Sequence, residues 1–259
     1  MGDAKRIEVR PISRQDADKI VMSCHYSGKV VNNSQLHLGV FLDGRCGGAM
    51  QFGPSLDKSK IVTLVRDTPW NGFIELNRMA FADWLPRNSE SRALAVAFRI
   101  LRKSYSFLQW VVSFADATQC GDGTIYRAAG FALTGIKHND RLCLMPDGRV
   151  VSALTFMNGS NGGGIEKRRY GFIEGEGDSR FIRRIGARPL PGFQLRYIYF
   201  LDLTARDRLT VPILPYSAID EAGAGMYKGI KRVSGVESDT PGPQPGEGGA
   251  TPTETLREG

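Results

Sequence analysis

Residues 6–12, Arg-Ile-Glu-Val-Arg-Pro-Ile, alternate polar with apolar positions as a half-buried strand does. From 14 to 23 the apolar residues Ala17, Ile20 and Val21 recur at helical spacing, so the chain is expected to open strand then helix. Apolar runs at Leu36–Leu42 and Gly47–Phe52 flank Asp43-Gly44-Arg45, a three-residue turn holding the glycine that a hairpin needs. Phe73–Phe81 predicts another strand. After Leu85-Pro86, a helix is expected to carry Leu94, Ala97, Phe98 and Leu101 on one face, capped by Asn88 or Ser89. Phe107–Phe114 is apolar and aromatic throughout but too short for a second long helix, which suits a central strand buried on both faces.

The stretch after this run reads as a polar turn, a short helix over 121–129 closed by Gly130, and a further strand. Beyond Gly135 two strands are expected. A flexible glycine-rich loop follows at 158–164, then a basic stretch from Lys167 to Arg188 and a late strand over Gln194–Leu201. Residues 233–259 are rich in Pro, Gly, Thr and acidic groups, with too little apolar surface to offset the entropy of ordering; they are expected to be disordered. The chain divides on this reading into a core over 1–137, a basic strand-and-loop extension over 138–232 packed on it, and the tail.

Composition changes the picture in one respect. Over 259 residues the net charge is +7, yet the tail has one Arg against five carboxylates, so the body before it is more basic still by four units. A polyanionic partner such as nucleic acid fits that body, although charge alone is also compatible with simple solubility. No run is long enough to span a membrane and residues 1–14 are charged rather than signal-like, so a cytoplasmic protein is expected. Cys24, Cys46, Cys120 and Cys143 show no paired spacing, which argues against a disulfide framework or a zinc knuckle.

Candidate chemistry concentrates after the buried run. Asp116 leaves the strand and Tyr126 lies on the next helix, a carboxylate and a phenol that a strand-to-helix crossover can bring together as an acid/base pair. Desolvation at that strand end would raise the Asp116 pKa; its alternative role is a turn residue capping the helix, which Asp122 can equally fill. His25 can serve as a base or a metal ligand near neutral pH, whereas His37 sits between Leu36 and Leu38 as a sheet residue and His138 lies in a polar turn. Arg78, on an otherwise apolar strand, is costly to bury without a partner: Glu75, Asp116 or an anionic substrate.

The element order, strand, helix, hairpin, strand, helix, strand, helix, strand, resembles the GNAT acetyltransferase-like fold. The resemblance implies an α/β (α+β) protein with a central mixed, largely antiparallel sheet flanked by helices, here extended by a C-terminal β-rich segment. It also implies a coenzyme pyrophosphate at the start of the helix opened by Asn88, Ser89 and Ser91, because unpaired amides there attract anions. The glycine-rich turn usual in that fold is absent. A plain helix cap explains the three residues about as well.

A more specific set is Cys24-His-Tyr-Ser-Gly28, Gln35-Leu-His-Leu-Gly-Val-Phe41, Gln51-Phe-Gly-Pro-Ser55, Glu75-Leu-Asn-Arg-Met-Ala-Phe81 and Ser113-Phe-Ala-Asp116, with the Tyr126 element. Over roughly residues 20–137 these segments resemble the phage Mom family of DNA-modification proteins. The resemblance implies conversion of adenine in DNA to a carbamoylmethylated N6-adenine that evades host restriction. Asp116, Tyr126, His25 and Arg78 match functional positions, the donor is acetyl-CoA or a related acyl compound, and His25, Asp116 and Tyr126 are a suggested iron set. The implied partner is double-stranded DNA with its adenine flipped out. Lys167, Arg168, Arg169, Arg180, Arg183, Arg184 and Arg188, interleaved with Tyr170, Phe172 and Phe181, are candidates for tracking its phosphates. No membrane partner is expected and a homodimer is left open. An acyl-CoA-dependent N-acetyltransferase of a small amine or protein is the competing enzyme, and a non-catalytic DNA-binding protein the competing class.

Overall fold

A computed structural model describes residues 3–118, 121–139, 142–152, 164–171, 173–190, 192–227 and 230–231. Strands β1 (Glu8–Pro11), β2 (Leu36–Leu42), β3 (Arg45–Gly53), β4 (Phe73–Phe81), β5 (Trp110–Asp116) and β6 (Ala132–His138) are joined by β10 (Phe193–Phe200) in one seven-stranded sheet. Its order is β1-β2-β3-β4-β5-β10-β6. Every pairing is antiparallel except β4 with β5, so the sheet is the mixed, largely antiparallel one expected.

The elements follow from local chemistry. Helix α1 (Arg14–Cys24) is capped by Ser13, whose Oγ accepts the Asp16 amide, and buries Ala17 and Val21 against the sheet. The β2–β3 turn holds two residues rather than the three expected. Asp43 and Gly44 both have positive φ (50° and 79°), the backbone of a two-residue turn whose twist matches the flanking strands, and Arg45 joins β3. The short helix α2 (Lys58–Val62) precedes β4, and helix α3 (Ser89–Ser104) buries Leu94, Ala97, Phe98 and Leu101 as its periodicity predicts. It is not capped as expected: Asn88 is left-handed with no side-chain cap bond, and Ser89 Oγ donates to the Pro86 carbonyl.

Strand β5 is an interior strand, between β4 and β10, and is buried on both faces. Val111 and Ala115 join the core under α3, while Trp110 and Val112 face a second cluster with Leu64, Phe73, Ile198 and Phe200. It begins later than the apolar run suggested. Phe107, 59% exposed, lies in the turn that follows α3, because the chain must reverse before Gln109 can pair with Gly72.

The largest departure concerns residues beyond 137. Strand β10 lies between β5 and β6 and so belongs to the main sheet. The β-rich extension is therefore an insertion between β6 and β10. Its described part is a three-stranded sheet, β7 (Leu142–Leu144) between β8 (Val150–Ser152) and β9 (Arg188–Leu190), with short helices Ile165–Arg169 and Asp178–Arg184. It has a core of its own: Cys143, Met145, Val151, Phe181 and Ala187. Most of the glycine-rich loop, Phe172, Cys120 and the whole acidic tail lie outside the described residues. Cys24, Cys46 and Cys143 are free thiols, and no described helix is long and apolar enough to cross a membrane.

Candidate active site

Strands β4 and β5 pair over only three positions, Phe73–Glu75 with Trp110–Val112, and then diverge. The split leaves a cleft of about 390 Å³, walled by Leu76–Met79 of β4, Phe114 and Ala115 of β5, and residues 121–126, with His25 and Tyr26 reaching in from the end of α1. That volume falls in the ~300–1,000 Å³ range of sites that enclose a small molecule. His25, Arg78 and Tyr126, from three distant segments, share it.

His25 ends α1 and its ring nitrogen Nδ1 accepts the Ser27 amide at 3.2 Å, with Ser27 Oγ 2.8 Å away. A backbone N–H can only donate, so Nδ1 is bare and the neutral ring carries its proton on Nε2. Burial, assisted by the Arg78 charge, lowers the His25 pKa to about 4. The imidazole is thus a neutral hydrogen-bond donor at pH 7, with its basic nitrogen already used. Its ring packs on the exposed Tyr26 ring, centroids 4.3 Å apart.

Arg78 reaches the cleft through a bulge. Gln51 faces Arg78 and Phe52 faces Leu76, so Asn77 is an extra residue in β4 and the strand bends where it leaves β5. The guanidinium is anchored by backbone: Nε donates to Lys29 O at 3.1 Å and Nη1 to Asn77 O at 2.8 Å. The pairing expected with Glu75 or Asp116 does not form, and among the described residues Arg78 makes no ion pair. A cation fixed on carbonyls and lining a cleft suits an anionic or electron-rich ligand group. Glu75, at the last paired position before the split, has its carboxyl pushed up by burial, opposed by Ser55, Asn77 and Arg78.

Helix α4 (Thr124–Ala128) carries Tyr126 and ends, as predicted, with Gly130 left-handed at φ 85°. The Tyr126 ring packs 5.2 Å from both Phe131 and Tyr197. Asp122 fastens the helix start: Oδ1 accepts the Thr124 amide at 3.1 Å and its hydroxyl at 2.6 Å, and Oδ2 pairs with Arg127 at 3.0 Å. Beneath it Tyr197 Oη donates to the Asp122 carbonyl at 2.6 Å. Gly123, at φ 75°, leaves the space the Tyr197 ring fills, where a Cβ would overlap it.

Asp116 is placed differently from the acid/base expectation. It does not line the cleft; its Oδ1 accepts the Thr118 amide at 2.9 Å and it stands opposite Gln194 of β10. Asp122, which the sequence offered only as a cap, is the carboxylate in the cleft wall. Asn77 and its bulge left no signal in the sequence, while the Gly121-Asp122-Gly123 step was visible as a turn.

Two expectations concerned cofactors. Asn88, Ser89 and Ser91 lie outside the cleft lining, and the Ser89 and Ser91 hydroxyls donate to Pro86 O and Asn88 O, so any anion there would be held by the backbone amides of the helix start rather than by these hydroxyls. For iron, no group of three or more His, Cys, Asp or Glu among the described residues has metal-binding geometry. His25 Nδ1 is taken by the Ser27 amide, and Asp116 is not among the residues lining the cleft.

In the insertion, Lys167 pairs with Asp178 at 2.6 Å and the exposed Arg184 with Glu176 at 2.8 Å, whereas Arg168, Arg169, Arg180, Arg183 and Arg188 are exposed and make no ion pair among the described residues.

The sheet order and the cleft at its β4–β5 split define a GNAT-like α/β protein. A sequence model of the Mom protein family matches residues 6–218, and the chain belongs to that family. It is 36% identical over 211 residues to the methylcarbamoylase mom of Escherichia phage Mu, covering 81% of this chain and 82% of that protein. Among solved structures, the ribosomal-protein-S18-alanine N-acetyltransferase of Escherichia coli aligns over 76% of this chain and 95% of its own (11% identity, TM-score 0.42). An acetyltransferase of Bacillus subtilis in complex with CoA aligns over 75% and 97% (10% identity, TM-score 0.40). At these scores neither alignment bears on the chemistry.

Proposed function

We propose that the protein is a DNA-modifying transferase that attaches a carbamoylmethyl (acetamido) group to the N6 amino nitrogen of adenine. The observation that carries this reading is the convergence of His25, Arg78 and Tyr126 on one cleft in a member of the Mom family, whose phage Mu relative is named a methylcarbamoylase. The adenine enters the cleft flipped out of its duplex, because its amino group is otherwise held in the base pair.

Bond formation makes N6 attack the donor carbon and shed a proton, while the donor's leaving group departs with the bonding electrons. Arg78, fixed on Lys29 O and Asn77 O, faces the negative charge that develops there. The Tyr126 phenol supplies the proton to that group and is restored by the proton that N6 sheds. His25 contributes its Nε2–H as a fixed neutral donor to an acceptor on the base or the donor. Asp116 acts through the turn it closes, shaping the wall that carries Tyr126. The step balances for a donor that carries the carbamoylmethyl group whole, its methylene carbon bonded to the leaving group; acetyl-CoA attacked at its carbonyl would instead leave an N6-acetyl group, the outcome of the competing N-acetyltransferase reading.

The test is nucleoside mass analysis of DNA from cells expressing the chain. A deoxyadenosine heavier by one acetamido group is expected. Unmodified adenine in cells where the protein is folded, together with acetyl-CoA turnover on small amines, would replace this reading with an ordinary N-acetyltransferase.

A further inference from the structure

Resting on that reading, we infer that the insertion between β6 and β10 is the duplex-docking element, holding the phosphates of double-stranded DNA through Arg168, Arg169, Arg180, Arg183 and Arg188. Lys167 and Arg184, which resemble these residues in sequence, are instead tied up in ion pairs within the insertion.

The division follows from where the carboxylates go. Asp147 and Glu166 both bind Arg149, Glu166 through two bonds of 2.8 and 2.9 Å. Asp178 takes Lys167, and Glu176 clasps Arg184 through Nε and Nη2, both at 2.8 Å. Glu166, Lys167 and Glu176 are buried. The described acidic residues of the insertion are thereby spent on internal ties, Glu174 excepted. The five exposed arginines make no ion pair among the described residues, so their charge is left to solvent.

Four of these arginines have a defined placement on two tied helices. Arg180 and Arg183 are three apart on one helix and share its face. Arg168 and Arg169 end the other helix, which Lys167–Asp178 ties to the first; Arg184 Nη2 also donates to the Gly171 carbonyl just past that helix, so the carboxyl ends of the two helices lie together. Such a two-helix cationic face matches a rigid polyanion with regularly spaced charges.

The insertion is rooted beside the cleft. Its stem closes through the Asn139 amide on Gly192 O at 2.7 Å and Phe193 opposite His138, and Ala117 N donates to Phe193 O at 2.8 Å. Gly192 packs so tightly on Thr118 that a Cβ there would overlap its hydroxyl. Residues 116–118, which the stem grips, lead into the 121–126 wall of the cleft. A duplex held on the arginines is thus held by the element attached to that wall.

The test measures binding of a short fluorescein-labelled duplex to the full chain by anisotropy across a salt series, with no donor present. Each lost phosphate contact lowers the slope of log K against log salt by about 0.9. R180Q/R183Q is expected to lower it by about 1.8 with an unchanged melting temperature, and R180K/R183K to retain it. K167Q is expected to lower the melting temperature and leave the slope within about 0.3, well below one contact. An unaltered slope in folded R180Q/R183Q, or an equal slope loss in K167Q, would overturn the docking assignment. So would a slope loss seen on single-stranded RNA but not on the duplex. The readout is independent of chemistry: a slope loss without any modified adenine keeps the docking face and removes the proposed reaction, and the converse result removes only the docking face.

Discussion

Tyr197, buried in the middle of β10, donates its hydroxyl to the carbonyl of Asp122 at 2.6 Å, a bond spanning seventy-five positions of sequence. Burial raises the Tyr197 pKa, so the hydroxyl stays a donor throughout the working range. This bond supports from beneath the turn whose helix presents Tyr126 to the cleft. Tyr197→Phe leaves a carbonyl without its donor and is expected to cost about 1–3 kcal/mol in denaturant unfolding. Modification should fall as well, since Tyr126 rests on the same ring; full activity alongside the lost stability would separate the two.

Gly123 sits above that ring with positive φ. Gly123→Ala adds both a backbone penalty and an overlap with Tyr197, and destabilisation of more than ~1 kcal/mol is expected. Gly148→Ala, also at positive φ but with open space around it, is the control and should cost less. Equal losses by thermal unfolding would mean that the contact with Tyr197 is without consequence.

Protonation of His25 can be followed directly. Its pKa near 4 lies below the ordinary 6.5, so between these values the unfolded chain binds a proton that the folded one refuses. The His25 contribution is therefore complete above pH 6.5 and lost as pH falls toward 4. NMR titration of the imidazole should show a midpoint near 4, and the pH–rate profile should show no His25 inflection between 5 and 8. In Arg78→Met the midpoint should move upward, because a repelling charge has gone, yet remain below 6.5, because burial is the larger cause.

Arg78→Gln removes the one cation among the described residues of the cleft wall while keeping a polar side chain. A loss of about 10²–10³-fold in kcat is expected, the scale seen when a donor to developing negative charge is deleted. Arg78→Lys should recover little, since a single ammonium cannot reproduce the two-carbonyl anchorage and still face the ligand. Wild-type kcat in either variant would place the charge stabilisation elsewhere.

Asp116 separates two roles cleanly. If it closes the turn through Thr118 N, Asp116→Asn retains the accepting oxygen and most of the activity, while Asp116→Ala loses both. Equal loss in Asn and Ala, with folding intact by circular dichroism, would return Asp116 to proton transfer.

Local periodicity by itself determined most of the elements: the α1 and α3 faces, the β2–β3 hairpin, β4 to the residue, and the buried nature of β5. These are short-range properties, legible because the spacing of apolar side chains dictates which backbone can bury them. The motif set also carried the family, and three of its four site residues meet in the cleft. Only the tertiary structure decided that β10 enters the sheet between β5 and β6, that a bulge at Asn77 turns Arg78 inward, and that Asp122 rather than Asp116 lines the cleft. The same holds for the insertion, where Lys167 and Arg184 are tied into ion pairs and the neighbouring arginines are not. Strand order, register and ion pairing join residues far apart in sequence. They are settled by which long-range contacts close together without leaving buried charge unmatched.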